Sequence, residues 1–303
     1  MQDILIVGAG TAGLTAAIYA ARAGKTVTVL ENEAVGGQIA TSPKVENYPG
    51  FESISGAEFS DRLFNQATAL GVSVELERAK AVRQAEGGFT VETGGSSYAA
   101  RALILATGVK HRNLGLPEEA AYLGRGLSYC AVCDGAFFRG RTVAVVGGGN
   151  AALQSAVYLS DVAEKVYLIH RRAQYRAEEA VVRAMEARPN IEPVLNKTVA
   201  ALSGEPLLQA LTLRDTQTGE TSELPVNGVF VSIGKVPAND FCRDLVRLDD
   251  AGFIVADESC KTNVPGIFAA GDCRTKSVRQ LTTAAGDGSV AALAACDYLN
   301  ANA

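Results

Sequence analysis

The sequence predicts an α/β protein with two Rossmann-like domains of the three-layer ββα type, the second inserted in the first. A strand, glycine-rich turn and helix pattern occurs twice, with an offset of 139 residues. The length of 303 residues fits two domains of about 150 residues each. A chain crossing near 109–115 and a return near 238–245 would make the second copy part of an inserted domain.

The composition is that of a globular protein and excludes several classes. Hydrophobic residues make up 48% and charged residues 20% of the chain, which excludes disorder, collagen and coiled coil. The net charge of −5 argues against nucleic acid or an acidic membrane as a partner. The chain has two histidines, His111 and His170, which leaves few candidates for a Ser-His-Asp triad or a metal site with several histidines.

The cysteine pattern and the N-terminus indicate the compartment. Six cysteines, of which four are scattered, suit a reducing compartment rather than a secreted disulfide framework. Met1-Gln2-Asp3 begins no signal-peptide pattern. Two uncharged stretches, 4–21 and 142–160, are long enough for a membrane-spanning helix, but each is interrupted by a glycine-rich turn. We therefore expect a soluble, cytoplasmic protein without membrane contact.

The two copies of the repeated unit share their spacing. DILIVGAGTAGLTAAIYAARAGKTVTVLE spans 3–31 and TVAVVGGGNAALQSAVYLSDVAEKVYLIH spans 142–170. In each copy, 23 residues separate the first glycine from the end of the next strand. The glycine positions that align are Gly8 with Gly147, Gly10 with Gly149, and Gly13 with Ala152. This repetition favours two dinucleotide sites over ordinary glycine turns.

Each residue type in the turn has a physical role. The first glycine allows a tight turn out of the strand, the second lets the backbone approach a pyrophosphate, and the third position must be small for helix–strand packing. The helix N-terminus then offers N–H groups and a positive dipole end to the phosphates.

The ends of the second strands distinguish the two sites. The first copy ends in Glu31, which can accept hydrogen bonds from a ribose diol. The second ends in His170-Arg171-Arg172, with Arg176 following. Guanidinium groups hold a 2′-phosphate that a carboxylate would repel. The first site should therefore take an adenosine without a 2′-phosphate and the second NADPH; the alternative is that the arginines form a solvated basic helix face.

A second reactive element is the sequence Cys130-Ala131-Val132-Cys133-Asp134. A C-x-x-C pair permits a small-loop disulfide or half of a zinc site, and zinc would need two more ligands. Two buried thiols are the remaining alternative. The carboxylate of Asp134 favours thiol–disulfide exchange, because that chemistry needs a proton donor and acceptor.

These elements together resemble a known family. The sequence CAVCDG, followed by GGGNAA, HRRAQYR, GIFAAGD and RQLTTAAG, is similar to bacterial low-molecular-mass thioredoxin reductases over essentially the whole chain. The resemblance implies a homodimer that reduces thioredoxin or a thioredoxin-like protein and needs no metal. It implies a discontinuous FAD-binding domain at 1–112 and 241–303 and an NADPH-binding domain at 113–240 that carries the dithiol.

The resemblance also implies roles for individual residues. Cys130 would attack the substrate disulfide, Cys133 would face the flavin, and Asp134 would act as acid and base. The residues for the ADP half of FAD would be Gly8, Gly10, Ala12, Gly13 and Glu31. Those on the flavin side would be Gly37, Gln38, Asn47, Asp272 (at the ribityl chain), Arg279, Gln280 and Leu281. Those for NADPH would be Gly149, Asn150, Ala151, His170, Arg171, Arg172 and Arg176. Further cofactor-binding positions would be Thr11, Thr107, Gly108, Gly147, Ala152, Gly234 and Gly271.

The thioredoxin-docking segment would include Arg125, Phe137 and Phe138, although the two phenylalanines could instead be core residues. The chain departs from the family pattern at Tyr48, Ala136 and Cys273. Of these, Ala136 stands where the family often has another Phe, and Cys273 is best interpreted as a buried small hydrophobe.

The expected activity is the NADPH-dependent reduction of a thioredoxin disulfide through FAD and the Cys130–Cys133 dithiol. Because the dithiol precedes the second glycine turn by 14 residues, it would ride on the NADPH domain, which would alternate between two orientations. Three alternatives remain open at this point: a flavin dithiol oxidase, a ferredoxin-driven reductase and a non-catalytic flavin redox sensor.

Overall fold

A computed structural model of the chain describes residues 1–42 and 44–302. The chain forms two compact units. The first comprises Met1–Lys110 and the segment from Val236 onward, and the second comprises His111–Lys235.

The strands and helices have the following bounds in chain order. The strands are β1 (Gln2–Val7), β2 (Val27–Leu30), β3 (Ser73–Glu75), β4 (Ala81–Ala85), β5 (Gly88–Glu92), β6 (Ser97–Leu105), β7 (Val109–His111), β8 (Leu127–Ser128), β9 (Thr142–Val146), β10 (Lys165–His170), β11 (Ile191–Leu195), β12 (Lys197–Ser203), β13 (Ala210–Asp215), β14 (Thr221–Pro225), β15 (Gly228–Val231), β16 (Lys235–Pro237) and β17 (Ile267–Ala269). The helices are α1 (Thr11–Arg22), α2 (Gly56–Thr68), α3 (Glu119–Tyr122), α4 (Ala131–Asp134), α5 (Asn150–Ser160), α6 (Glu179–Glu186) and α7 (Leu281–Ala301).

The first unit is built on a sheet in the order β3-β2-β1-β6-β5-β4, with β17 also paired to β6. Its central strand β1 pairs in parallel with both β2 and β6. Ile4 and Ile6 face a core shared with α1 and α7. Leu5 faces the opposite core, which includes Phe89 of the antiparallel strand β5. A strand buried on both faces is expected to be a continuous apolar run, as ILIV at residues 4–7 is.

The second unit repeats this layering. Its parallel sheet has the order β11-β10-β9-β15-β8. Val143 and Val145 of β9 pack with residues of α5 and α6, whereas Ala144 and Val146 pack towards the antiparallel sheet β12-β13-β14. Both units therefore combine helices, parallel strands and antiparallel strands; in the first unit the antiparallel strands β4 and β5 continue the main sheet through β6, and in the second they form a separate sheet. The predicted fold class is confirmed.

The two segments at which the chain passes between the units, β7 and β16, pair with each other as a two-stranded sheet. In the described residues, no helix is both long enough and apolar enough to span a membrane. The uncharged stretches 4–21 and 142–160 are instead strand, turn and helix, as their glycines indicate.

In the two glycine turns, different residues pack the start of the helix against the first glycine. A Cβ at Gly13 would lie 1.8 Å from the carbonyl oxygen of Gly8, so the first turn has space only for glycine at its third position. In the second turn the third position is Ala152, whose methyl group occupies the space above Gly147. The glycine motif therefore tolerates a methyl group in one unit and excludes it in the other.

This difference predicts that Gly13→Ala destabilises the first unit. The added methyl group meets backbone, which cannot rotate away, and overpacking of this kind costs about 1–3 kcal/mol. The midpoint of urea unfolding, followed by circular dichroism, should fall. The matched control is Gly286→Ala within α7, where the added Cβ would meet no described atom within 4 Å beyond its chain neighbours and the backbone of its own helix; it should stabilise the helix slightly. Equal midpoints for both variants would contradict the prediction.

Candidate functional sites: two nucleotide cradles and a dithiol

The first glycine turn forms an open cradle at the start of α1. Gly10 precedes the helix in an extended conformation, and as a glycine it has no side-chain oxygen to cap the first-turn N–H groups. A Cβ at Gly10 would find its nearest described neighbour, the carbonyl oxygen of Gly36, 3.9 Å away. Gly37 lies on the same side, because a Cβ there would be 3.4 Å from Cα of Gly10. Open space above helical N–H groups is what a pyrophosphate requires.

The carboxylate of Glu31 lies at the edge of this cradle. One of its oxygens accepts the N–H of Ala9 at 2.8 Å, and the other accepts the N–H of Glu33 at 2.9 Å. These two bonds fix the carboxylate beside the turn, where it can still accept from a ribose diol. The first cradle therefore fits the ADP half of FAD.

The flavin-side residues of the prediction all belong to the first unit, and two of them, Asn47 and Gln280, contact each other. Gln38 donates its side-chain amide to the carbonyl of Val109. Asn47 donates to the side chain of Gln280 at 3.4 Å. Thr107 donates its hydroxyl to the buried side chain of Asn239 at 2.8 Å. Leu281 packs against an apolar cluster that contains Tyr48.

The segment that carries Asp272 lies against α1. Gly271 has a φ of +78°, and a Cβ there would lie 2.8 Å from the methyl group of Ala12. Arg279 donates to the carbonyls of Asp272, Arg274 and Lys276 at 2.9–3.2 Å. Its guanidinium also lies 4.4 Å from the ring centroid of Phe253. Arg279 thus shapes the backbone around Asp272.

The second glycine turn forms a comparable cradle before α5. Gly149 precedes the helix in an extended conformation, and among the described residues other than its chain neighbours no atom lies within 4 Å of a Cβ placed there. Asn150 is held by Glu178, because its amide donates to the Glu178 carboxylate at 2.9 Å and its oxygen accepts the Glu178 N–H at 2.8 Å. Ala151 follows in the first turn of α5, and Gly234 accepts the N–H of Arg112 at 3.0 Å.

His170 and Arg176 tie the arginine segment to this turn. The imidazole of His170 is 7% exposed and fills the space beside Gly148, where a Cβ would lie 2.2 Å from the ring. Burial lowers the pKa of His170, so the ring is neutral at pH 7. The N–H of Arg176 donates to the carbonyl of Gly148 at 2.6 Å.

Arg171, Arg172 and Arg176 are themselves exposed at this edge. Three exposed guanidinium groups beside helical N–H donors fit a nucleotide with a 2′-phosphate. The second cradle therefore fits NADPH.

Cys130 and Cys133 form a disulfide at the start of α4. The Sγ atom of Cys130 accepts the N–H of Cys133 at 3.2 Å. Cys130 is half-buried and Cys133 is exposed. The short helix packs onto α5, since a Cβ at Gly135 would lie 2.9 Å from the side chain of Leu159. The dithiol is therefore carried by the same unit as the second cradle.

Asp134 and Ser128 form the polar side of the dithiol. Burial raises the pKa of Asp134, and this outweighs the hydrogen bond that it accepts from the Ser128 hydroxyl at 2.5 Å. The same hydroxyl accepts the N–H of Cys130 at 3.0 Å. Ser128 thus links the carboxyl group to the cysteine backbone, a role that the sequence pattern did not indicate.

A cluster around Tyr129 anchors the residue before Cys130. The Tyr129 hydroxyl donates to the carboxylate of Glu119 at 2.6 Å. That carboxylate also accepts the N–H groups of Leu114 and Gly115. The ring of His111 stacks on Tyr129 with centroids 5.0 Å apart. Sequence reasoning did not find this cluster, because its members, although they lie within residues 111–129, form no recognisable motif.

The expected docking residues divide into exposed and packed groups. Arg125 is exposed and the Phe137 side chain is 39% exposed, next to the exposed Val132. Phe138 instead packs edge-on against Phe230, with centroids 5.3 Å apart. The core interpretation therefore describes Phe138 but not Phe137.

The other cysteines are buried free thiols: Cys242, Cys260, Cys273 and Cys296. The thiol of Cys273 lies 3.3 Å from the carbonyls of Leu105 and Ala270, and burial raises its pKa. It is thus a buried, weakly acidic thiol, as expected. Within 1–42 and 44–302, no group of three or more His, Cys, Asp or Glu side chains could hold a metal ion.

Comparison with known proteins agrees with this geometry. A family model described as pyridine nucleotide-disulphide oxidoreductase matches residues 2–288. The chain is 44% identical to a thioredoxin reductase of Treponema pallidum, over 98% of this chain and 97% of that protein. It is 43% identical to a thioredoxin reductase of Listeria monocytogenes, over 99% and 94% of the two chains. A crystal structure of thioredoxin reductase from Streptococcus pyogenes superposes with a TM-score of 0.95 at 38% identity, covering 99% of each chain.

The fold, the two cradles and the disulfide define a flavin- and nicotinamide-dependent oxidoreductase, with FAD and NADPH as its cofactors. The chain belongs to the pyridine nucleotide-disulphide oxidoreductase family and, within it, to the thioredoxin reductases.

The burial of His111 generates a prediction about pH. Burial and the charge of Lys235 lower the pKa of His111 to about 4, whereas an unfolded histidine titrates near 6.5. Between these values the unfolded chain binds a proton that the folded chain does not, so stability should fall as pH decreases from about 6.5 to 4.

His111→Phe keeps an aromatic ring on Tyr129 and removes this titration. The free energy of unfolding, measured with urea at pH 7, 6, 5 and 4, should decrease less steeply for the variant than for the wild type. The two slopes should differ by up to about 1.4 kcal/mol per pH unit within that window. His170 titrates in both proteins and serves as an internal control. Parallel pH curves would show that His111 is protonated normally in the folded chain.

Proposed function

We propose that this protein reduces the disulfide of thioredoxin, or of a thioredoxin-like protein, with NADPH as the electron source. The observation that carries the proposal is the Cys130–Cys133 disulfide beside the half-buried carboxyl group of Asp134, in the unit that holds the second cradle. The names of the relatives support the choice of substrate.

The proposal extends to domains, assembly and location. The FAD-binding domain is 1–112 with 241–303, and the NADPH-binding domain is 113–240. The enzyme acts as a homodimer in the cytoplasm. Exposed apolar side chains on α1 and α7 of the first unit, Tyr19, Val290 and Leu293, support a partner copy.

NADPH and FAD, when bound, supply two electrons to the Cys130–Cys133 disulfide. The protein holds them with the residues already described. Gly10 and Glu31 receive the ADP half of FAD, and Gly149 with Arg171, Arg172 and Arg176 receives NADPH. Asp272 and Gln280 lie on the flavin side.

Two observations bear on which cysteine attacks the substrate, and they favour different residues. Cys133 is the more exposed, but Cys130 accepts the backbone hydrogen bond. A hydrogen bond to sulfur favours the ionised form, and the thiolate is the nucleophile. We therefore assign the attack to Cys130.

The thiol steps follow from this assignment. The Cys130 thiolate attacks one sulfur of the substrate disulfide, and the first substrate thiolate leaves. Asp134 supplies a proton to that thiolate, which its raised pKa makes possible nearer neutral pH than for an ordinary carboxyl group. The Cys133 thiolate then attacks Sγ of Cys130, restores the disulfide and releases the second substrate thiolate.

The arginine segment weighs against two alternatives. A flavin dithiol oxidase or a ferredoxin-driven reductase would have little use for Arg171, Arg172 and Arg176 beside Gly148. A flavin redox sensor would keep both cradles but would turn over no protein disulfide. NADPH consumption, with thioredoxin and with oxygen as separate acceptors, distinguishes these functions.

The assignment of Cys130 predicts different behaviour for two variants. Thioredoxin with a single active-site cysteine, activated as its mixed disulfide with thionitrobenzoate, reports the attacking thiol by the release of colour. Cys133→Ser should release one equivalent and hold thioredoxin covalently, because its attacking thiol remains and its resolving thiol is gone. Cys130→Ser should trap little. Neither variant should turn over oxidised thioredoxin.

Buried Cys273 provides the control, since Cys273→Ser leaves the dithiol intact and should behave as the wild type in the trapping assay. Trapping by Cys130→Ser rather than by Cys133→Ser would reverse the assigned roles. Trapping by neither variant would remove thioredoxin as the substrate.

The arginine segment predicts the preference for NADPH over NADH. Two charge-assisted contacts to the 2′-phosphate are together worth about a hundredfold in kcat/KM. Arg171→Ala combined with Arg172→Ala should remove most of this preference by raising KM for NADPH. Arg183→Ala, which removes an arginine paired with Glu179 on α6, is the matched control and should leave the preference unchanged. An unaltered NADPH/NADH ratio in the double variant would mean that the two arginines are only a solvated face.

A further inference from the structure

Three charged side chains are buried together in the first unit, behind the segment that carries Asp272. The side chains of Arg274, Lys276 and Asp287 are 2%, 7% and 10% exposed. One oxygen of Asp287 accepts from Arg274 Nε and Lys276 Nζ, both at 2.8 Å, and the other accepts from Arg274 Nη2 at 2.9 Å. We call these three residues the Asp287 cluster.

Stability alone is a poor explanation for such a cluster. Desolvation of buried ions offsets most of their attraction, and apolar residues of similar volume are often as stable. The carboxylate nevertheless stays charged. Burial would raise the pKa of Asp287, but the hydrogen bonds and charges of Arg274 and Lys276 outweigh this effect and lower it. What a charged cluster provides, and an apolar one does not, is a fixed direction for each hydrogen bond.

The remaining bond of Asp287 shows what is fixed. The carboxylate also accepts the N–H of Gly271 at 2.9 Å. Gly271 starts the single turn Gly271–Cys273, which contains Asp272. On the other side of the same segment, Arg279 binds the carbonyls of residues 272, 274 and 276. The backbone around Asp272 is therefore held by a carboxylate at its N–H end and by a guanidinium at its carbonyls.

Helix packing sets the position of the carboxylate. Asp287 is followed in α7 by Gly288, where a Cβ would lie 2.3 Å from the carbonyl oxygen of Ala12. The two helices are therefore in direct backbone contact at the start of α1, beside the first cradle. Asp287 consequently relates the Asp272 segment to the glycine turn of the same cradle.

We propose that Asp287 is a positioning residue for FAD: through Gly271 N–H, Arg274 and Lys276 it holds the Asp272 segment in the conformation that binds the cofactor. This inference rests on the proposed function, in that the first cradle holds FAD. Asp287 acts through the segment and through its cations. Its loss should therefore weaken FAD binding more than it weakens the fold.

The test uses the FAD-loaded enzyme and two probes. Flavin fluorescence reports cofactor release, and far-ultraviolet circular dichroism reports secondary structure. The FAD dissociation rate is measured at 25 °C after dilution, and both probes are then followed on heating. Asp287→Asn removes the charge, and Asp287→Glu keeps it but displaces the carboxylate by one methylene group.

The matched control is Asp215→Asn. Asp215 accepts three hydrogen bonds, from Lys197 Nζ and from the N–H groups of Gln217 and Thr218, where the Asp287 carboxylate accepts four, but it lies in the other unit. It reports the general cost of replacing a bonded carboxylate by an amide.

Asp287→Asn and Asp287→Glu should release FAD at least about tenfold faster than the wild type, the equivalent of about 1.4 kcal/mol, while their circular dichroism is retained. On heating, flavin release should precede the loss of secondary structure by a wider margin than in the wild type. Asp215→Asn should keep the wild-type dissociation rate, whatever its melting temperature.

The proposal is overturned if both Asp287 variants release FAD at the wild-type rate, or if flavin release and unfolding shift together. If Asp287→Asn does not fold, Asp287→Glu decides by the same comparison; if neither folds, the role is structural and the proposal fails. A wild-type protein that carries no FAD would instead contradict the proposed function, which is a separate result.

Discussion

The close approach of each glycine turn to the end of a neighbouring strand is the constraint on which both sites depend. A Cβ at Gly8 would lie 2.3 Å from the carbonyl oxygen of Ala106, and a Cβ at Gly147 would lie 2.3 Å from that of Ser232. Each turn is thus wedged against the chain that leaves the adjacent parallel strand, β6 or β15. The helix that follows must start at that level, with its N–H groups directed out of the sheet edge.

The other functional groups are positioned relative to these two glycine turns. In the first unit, Gly271 and Gly288 both meet Ala12 near the start of α1, which brings the Asp272 segment and α7 to the cradle. In the second unit, the segment after α4 packs through Gly135 on Tyr158 and Leu159, so the dithiol is carried on α5, the helix that follows the second glycine turn. Small residues carry these contacts because only a short side chain lets two backbones approach so closely.

The sequence predicted those parts of the arrangement that depend on residues close together in the chain. The two strand–glycine–helix units, the terminal helix α7 and the layer class follow from spacing and composition, and the C-x-x-C pair with Asp134 is contiguous. Ser128, Glu119, Asn239 and Asp287 were missed, because their roles come from side-chain contacts that no sequence motif marks, whether the partner is near in the chain, as Asp134 is to Ser128, or far, as Thr107 is from Asn239. The antiparallel sheet β12-β13-β14 was missed because partly exposed strands have a weak apolar pattern. The sequence left open whether Phe138 is a docking or a core residue, because the extent to which a phenylalanine is covered depends on Phe230, 92 positions away.

The carboxyl groups of buried Asp287 and half-buried Asp134 show how one fold gives different roles to the same residue type. Asp287 faces two cations and a backbone N–H, so its pKa is lowered and it stays charged. A group that keeps its charge can hold a segment in place but is a poor proton donor. Asp134 receives a hydroxyl group instead of a cation, so burial prevails and its pKa is raised. Such a group can give and take a proton at modest cost, which is what thiol exchange at Cys130 requires. The difference between positioning and proton transfer therefore lies in the partners of each carboxyl group rather than in the depth of its burial.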